Sequence, residues 1–485
     1  MTKENLNVYQ LSDELIKAIN MLNFNDFTPV QKQVIPAVLA QKDVVVKSQT
    51  GSGKTAAYAI PICQLVDWEE NKPQALVLTP TRELAIQVKE DIFNIGRFKR
   101  LKVAAIYGKS PFYNQKKELQ QKTHVVVGTP GRIIDHLDKE TLDTSNIKYL
   151  VIDEADEMLN MGFVDQIETI LKNLPENHVT MLLSATMPRD IDHLCSNYMN
   201  DPVYIDIEDK DKKSDNIIQK RYNVDERDKI DLLSDVTTVE NPDSCIVFCN
   251  TKVKVDSVFN ELIDLEYTCK KIHGGMEQSD RTRVMNDFKK GYFRYLVATD
   301  VAARGIDIDN ISLVINYDVP KDKECYVHRI GRTGRIGKMG KAITFVTQRD
   351  NRFLNDIHHY IGKEISLEEN PSPQAVDNAR QEFIDKMDTR PEVKETKGAE
   401  LDKEIMKLHI NAGKKTKMRA SDIVGTICNI EGVTKDDIGI IDIVDISTFV
   451  EILNNKGELV FNALQEKPIK GRLRNVSKTI LADRN

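Results

Sequence analysis

No apolar run in this chain approaches the length of about 20 residues that a helix needs to cross a bilayer. Met1-Thr2-Lys3-Glu4-Asn5 opens no signal-peptide core, so a cytoplasmic protein with no membrane partner is expected. Cysteine is sparse and scattered; of seven, the nearest pair, Cys245 and Cys249, falls in an apolar strand-like run. That placement argues against a disulfide framework or zinc site and for reduced, packed thiols. Positive charge is not in excess either. A net charge of −7 argues against a uniformly sticky nucleic-acid coat. Internal repeats and long low-complexity runs are also missing.

What is present is a globular composition, 40% hydrophobic and 29% charged, in 485 residues. That is too long for one ordinary core, so two or three domains are expected. Charge is unevenly spread. Residues 404–485 carry 13 Lys+Arg against 11 Asp+Glu, a balance of +2, which leaves −9 for residues 1–403. The basic side chains of this tail bunch at Lys414, Lys415, Lys417 and Arg419, and again at Lys467, Lys470, Arg472, Arg474 and Lys478. Such bunching marks either a phosphate-contacting face or a solvated basic surface.

Short apolar runs alternate with helix-length segments, as βαβ units do. Val44-Val45-Val46, Ala75 to Leu78, Val125-Val126-Val127, Leu150-Val151-Ile152 and Met181-Leu182-Leu183 read as buried parallel strands. The pattern restarts at Cys245 to Phe248, then at Tyr295 to Ala298, Leu313-Val314-Ile315 and Ala342 to Val346. The expected division is a first lobe over 1–206, a linker over 207–216 and a second lobe over 217–365. A charged linker is expected over 366–403, with a helix from Ala375 to Met387 in part of it and a tether around Glu392–Glu400. Residues 404–485 read as a β-α-β-β-α-β module whose last strand spans Arg472 to Val476.

Three motifs carry the chemistry. Ser48-Gln49-Thr50-Gly51-Ser52-Gly53-Lys54-Thr55 follows a strand and precedes a helix. Its glycines let backbone N–H groups face phosphate at a helix N-terminus, Lys54 reaches the outer phosphates, and Thr55 coordinates Mg²⁺. Asp153-Glu154-Ala155-Asp156 follows the strand ending at Ile152. There Asp153 can hold Mg²⁺ while Glu154 orients and deprotonates an attacking water. Arg332 and Arg335, flanked by Gly331 and Gly334, can act as arginine fingers in cis if the lobes close.

With these motifs in this order, the chain resembles the DEAD-box ATP-dependent RNA helicases over about residues 8 to 360. The resemblance implies two tandem RecA-like parallel-sheet lobes followed by a small α+β, RRM-like domain. Phe24, Thr28 and Gln31 match the adenine-reading motif, which makes ATP the nucleotide. Pro80-Thr81-Arg82 and Thr129-Pro130-Gly131-Arg132 match first-lobe RNA-backbone motifs. Ser184 and Thr186 match the motif coupling nucleotide state to RNA handling. In the second lobe Gly275, Gln278, Arg281, Thr299 and Asp300 are implied RNA contacts, and Asp307 an implied ribose contact. Phe27 stands where the family usually has Pro, Gly108-Lys109 where it has Gly-Gly, and Leu6 in the slot of an adenine-stacking aromatic, with Tyr9 nearby.

The tail, through Ile405-Met406-Lys407, Asn411 to Lys415, Arg419, Asp422 and Gly425, resembles the RNA-binding module of the DbpA/YxiN-type bacterial helicases. That resemblance implies 23S ribosomal RNA and the pre-ribosomal large subunit as partners of a monomer. An ordinary RRM stacks bases on sheet aromatics; here the strands offer mainly Phe449 and His409. The expected activity is RNA-dependent ATP hydrolysis with local duplex unwinding. Its rivals are an ATP-gated RNA clamp without productive unwinding and a DNA translocase.

Overall fold

The computed structural model describes residues 9–24, 26–48, 51–207, 216–300, 311–334, 339–389, 391 and 398–479. Two parallel sheets and one antiparallel sheet organise them. The first sheet holds β1 (Val44–Lys47), β2 (Ala75–Leu78), β3 (Val103–Ile106), β4 (Val125–Gly128), β5 (Tyr149–Ile152), β6 (Val179–Ser184) and β7 (Val203–Asp206). Its spatial order is β3-β4-β2-β5-β6-β1-β7, with every pair parallel. Strands such as Val44-Val45-Val46 are apolar on both faces because helices cover both faces of the sheet.

The second sheet repeats this plan with β8 (Ile217–Asn223), β9 (Cys245–Phe248), β10 (Cys269–Ile272), β11 (Tyr295–Ala298), β12 (Leu313–Asn316), β13 (Gly340–Val346) and β14 (Ser366–Leu367). Its order is β10-β11-β9-β12-β13-β8-β14, again parallel throughout. All seven cysteines are free thiols; six are buried and Cys428 is half-buried. The helix Pro373–Asp388 follows β14 and packs Phe383 into the second lobe's core.

The third sheet is antiparallel, ordered β16-β17-β15-β18, from β15 (Met406–Ile410), β16 (Ile438–Ile443), β17 (Thr448–Ile452) and β18 (Val476–Thr479). Helices Ala420–Cys428 and Gly457–Glu466 cover one face, over a core that includes Leu408, Ile423, Val450 and Val460. The β-α-β-β-α-β order stands, but the last strand begins at Val476 rather than Arg472. The basic residues Arg472 and Arg474 precede it.

This module sits against the first lobe. Ala18 and Phe98 of the lobe form one buried cluster with Leu401, Ile405 and Leu453. Of the stretch expected to be a tether, 392–397 lie outside the described residues, and Ala399–Lys403 is a short helix.

Candidate active site and RNA track

Strand β1 delivers the phosphate loop to the start of helix Lys54–Leu65. Gly53 caps that helix at φ +91°, a left-handed conformation that suits glycine. A Cβ on Gly53 would fall 2.5 Å from Gln31 Nε2. Gln31 is buried; its amide donates to the Gly53 carbonyl at 3.1 Å, and its Oε1 accepts from the Thr28 N–H at 2.9 Å. Thr28 caps the helix Pro29–Leu39, so the two polar residues of this motif brace the loop from outside. Phe24 packs at the edge of the same core. Phe27 fills that core, with the Tyr9 ring edge-on at 5.3 Å. Gln49, Thr50 and Leu6 lie outside the described residues.

Lys54 Nζ donates to the Ser48 carbonyl at 2.7 Å, and the Ser48 and Ser52 hydroxyls are 2.9 Å apart. Gly51 also takes a left-handed turn, φ +77°. Asp153, at the end of β5, accepts from the Tyr58 hydroxyl at 2.9 Å and from the Glu154 N–H at 3.0 Å. Burial raises the pKa of Asp153, opposed by Lys54 and by the Tyr58 bond. Burial raises Glu154 as well, reinforced by Asp153 and opposed by Arg332, His328 and Lys54. Glu154 adopts φ +52°, a strained placement for a non-glycine residue, which turns it out of the helix that follows. Asp156 Oδ2 accepts from both the N–H and the hydroxyl of Thr186, at 2.9 and 3.0 Å, and Ser184 Oγ donates to the Thr186 carbonyl.

The second lobe meets this site. His328 Nδ1 lies 2.5 Å from the Glu157 carboxylate, and Arg332 is buried near enough to Glu154 to bias its charge. Arg329, fully buried, holds Asp300 with two bonds of 2.5 and 2.7 Å and also donates to Asn250 and the Asp318 carbonyl. Asp300 therefore faces Arg329 within its own lobe; Thr299 joins its backbone to Ile272. Arg335 and Asp307 lie outside the described residues.

The residues read as RNA contacts gather on both lobes. Arg82 donates to Gln278 Oε1 at 3.2 Å; Gln278 Nε2 donates to Glu83 at 2.9 Å; Arg281 pairs with Glu83 at 2.8 Å. Burial lowers the pKa of Arg82; Glu83 opposes this, while the guanidiniums of Arg281 and Arg132 add to it. Two of these three guanidiniums are paired with carboxylates, Arg281 with Glu83 and Arg132 with Asp135. Arg132 is braced by the Ser110 carbonyl and Gln115, both at 3.0 Å, and by Asp135. Thr81 caps the helix that Arg82 begins, beside buried Pro80. Thr129 and the exposed Gly131 open the helix Pro130–Asp138, and Gly275 is exposed beside His273. An ideal Cβ on Gly108 would lie 3.5 Å from the Arg82 guanidinium, an ordinary van der Waals contact.

A family pattern described as DEAD/DEAH box helicase matches residues 28–194, and one described as the helicase conserved C-terminal domain matches 228–337. The ATP-dependent RNA helicase DbpA of Bacillus subtilis is 57% identical over 97% of this chain and 98% of its own length. The chain belongs to the DEAD-box RNA helicases. It is therefore an ATP-dependent RNA helicase with ATPase activity. A DbpA RNA binding domain pattern covers residues 407–478, which makes the tail an RNA-binding domain. The DEAD-box helicase CshA of B. subtilis is 43% identical over 79% of this chain and 77% of its own. Among solved structures, S. cerevisiae Dbp5 bound to RNA and ADP BeF3 superposes with a TM-score of 0.71 at 30% identity, covering 78% of this chain and all but 1% of its own.

In the RNA-binding domain Lys414, Lys415, Lys417 and Arg419 are all exposed. Their loop is pinned by Lys414 and Lys415 N–H bonds to the Val444 and Asp445 carbonyls. Gly413 makes this approach possible, since a Cβ there would fall 2.2 Å from the Val444 oxygen. Lys470 joins the cluster through the Lys417 carbonyl and Asp422. Phe449 is half-buried beside His409, with ring centroids 5.1 Å apart.

Sequence reasoning assigned no role of their own to Glu83, Glu157, His328 and Arg329. Glu83 follows Arg82, Glu157 follows Asp156, and His328 and Arg329 open the run that continues through Gly331 and Arg332. Motif membership was the available signal, and only the folded geometry shows that Glu83 and Glu157 meet side chains of the other lobe.

Proposed function

We propose that the enzyme separates short RNA duplexes locally and is directed by its C-terminal domain to 23S ribosomal RNA during large-subunit assembly, acting as a monomer in the cytoplasm. The observation that carries this reading is the contact between lobes. Arg82 and Glu83 of one lobe meet Gln278 and Arg281 of the other, while His328 meets Glu157 beside the nucleotide loop. ATP and RNA gripped by both lobes each favour the closed form that the other needs, so their affinities are coupled.

Asp153 and Thr55 suit a Mg²⁺ ion, which is usually held by one or two protein oxygens plus substrate phosphates and waters. Asp153 offers a buried carboxylate beside the loop. Bound there, the ion supplies charge neutralisation on the outer phosphates. Lys54 holds those phosphates in place, and the ribose end is left to Asp307. Glu154, displaced from its helix, orients the attacking water and takes its proton. Arg332 places a positive charge where negative charge develops, with Arg335 as the second finger. Thr186, tied to Asp156, reports the state of the site to the RNA track. Two RNA strands in a duplex cannot both follow a bent track, so closure favours holding one and releasing the other.

A strand-displacement assay on a short duplex, with and without ATP, tests the activity. ATPase stimulation by a panel of ribosomal fragments, measured on the full chain and on a chain ending at Thr389, tests the address. Unselective stimulation of the truncated form and preference by the full chain are expected. Equal preference in both sinks the targeting role, and displacement without ATP dependence sinks the motor.

A further inference from the structure

The interface between the C-terminal domain and lobe 1 is sorted by charge. In the ion pairs that cross it, lobe 1 supplies the cations and the C-terminal segment the anions, with Lys407 of the domain opposite Glu451 and Glu118 of lobe 1 near Asp442. Arg97 pairs with Asp402 at 2.6 Å and with Glu451 at 3.4 Å; Lys102 pairs with Asp442 at 2.5 Å; Lys117 faces Asp445 at 3.5 Å; Lys17 faces Glu404 at 3.5 Å. Arg97 and Glu451 retain only 2% and 4% side-chain exposure, so this is the dry centre of the contact. Glu451 and Asp442 stand on the sheet face opposite the helices, since the alternate residues Val450 and Ile452 point into the domain core. Arg100 adds a bond of 2.7 Å to the Lys435 carbonyl.

The chain reaches this seat from the other lobe. Helix Pro373–Asp388 is fixed to lobe 2 by Phe383, by Arg294 donating to the Lys386 and Thr389 carbonyls, and by Lys386 pairing with Asp243. By Gly398 the chain already lies against Asn94 of lobe 1, whose side chain an ideal Cβ would meet at 3.1 Å. Nine residue steps separate Thr389 from Gly398, a fully extended reach of about 30 Å.

We propose that the acidic sheet face of the RNA-binding domain and the basic rim of lobe 1 form a working docking surface that keeps the domain seated on lobe 1 through the cycle, while its chain enters from lobe 2. The two lobes are then tied twice, once by the segment after β7 and once by the docked domain. Opening is limited to what the span from Thr389 to Gly398 allows. RNA held by the domain moves with lobe 1, although the domain follows lobe 2 in sequence. Which RNA the domain selects does not enter.

Trp68, the single tryptophan, reports the docked state, because Arg100 lies 5.8 Å from its ring while bonded to Lys435. The test uses the full chain with a fluorophore pair across the lobes, free of nucleotide and RNA. Arg97→Glu sets a carboxylate against those of both Asp402 and Glu451, and Glu451→Arg alone sets two guanidiniums against each other. Each is expected to shift Trp68 emission and lengthen the inter-lobe distance; the exchange R97E/E451R, combined with Asp402→Asn to remove the carboxylate that position 97 also faces, is expected to restore both. Asp442→Lys/Asp445→Lys, at the exposed margin, gives the same shifts if the central variants fold poorly. Unchanged Trp68 emission in the variants overturns the docking. A Trp68 shift without a longer inter-lobe distance overturns the second tie.

Discussion

Arg281 of the second lobe donates to Glu83 of the first at 2.8 Å, with side-chain exposures of 7% and 10%. Gln278 donates to the same carboxylate. Removing one partner of a buried pair leaves the other charged and unsatisfied, typically at a cost of about 3–5 kcal/mol. Here the cost falls on the closed form, because the partners come from different lobes. Glu83→Ala is therefore expected to raise the RNA concentration for half-maximal ATPase stimulation by about tenfold or more, tenfold being about 1.4 kcal/mol. RNA titrations of ATPase rate, with inter-lobe energy transfer alongside, measure it; an unchanged midpoint refutes it.

Thr186 binds Asp156 through both backbone and side chain, so its hydroxyl is half of that link. In Thr186→Ala the backbone bond remains and the buried carboxylate loses one donor, a cost of about 1–3 kcal/mol. ATP hydrolysis is expected to persist while strand displacement per ATP falls. The ratio of the two rates decides: a proportional loss of both makes Thr186 part of hydrolysis alone.

What the sequence made legible tracks burial. Strands β2, β9 and β11 were readable to the residue because each lies inside a sheet and is apolar throughout. The end strands β7, β10 and β14 gave no such pattern, and neither did interior β8 with its Gln219-Lys220-Arg221 run; end strand β3, Val103-Ala104-Ala105-Ile106, is short but apolar and buried and was still missed. Cys269-Lys270-Lys271-Ile272 carries two lysines because an end strand has one neighbour and a wetter face. Last strand β18 was placed four residues early, since Val476-Ser477-Lys478-Thr479 has a single buried residue to announce it. The phosphate loop and Asp153 were legible because each sits in a short motif directly after an apolar strand, β1 or β5. Glu83, His328 and Arg97 were not, because what gives each its role is a partner more than a hundred residues away.

His124 ties the start of β3 to the Trp68 loop. Its Nδ1 accepts from the Lys102 N–H at 2.8 Å and its Nε2 lies 3.0 Å from the Trp68 carbonyl, an arrangement that the neutral ring satisfies. Burial pushes its pKa down to about 4 from 6.5, and burial does the same to His136. Below 6.5 the unfolded chain takes up protons that the folded one refuses, so stability is full above 6.5 and is lost as pH falls toward 4. The slope is at most about 1.4 kcal/mol per pH unit for each histidine. Denaturant midpoints between pH 7 and 4 should show this loss, and His124→Asn should flatten part of it. A parallel curve for the variant refutes the assignment.

Lys414, Lys415 and Lys417 are exposed, lie on a loop fixed by backbone bonds, and make no side-chain ion pair among the described residues. Nothing in the fold needs their charge, so replacing all three with glutamine leaves the domain's core untouched. If each neutralises a phosphate, each releases about 0.7 to 0.9 counterion on binding. The slope of log affinity against log salt should then become shallower by about 2 to 3 in the triple variant. Affinity at low salt should fall more than affinity at high salt. The measurement is RNA binding by the full chain across a salt series, with ATPase in the absence of RNA as the control for folding. An unchanged slope assigns these lysines to a solvated surface and moves the phosphate contacts to Arg472, Arg474 and their neighbours.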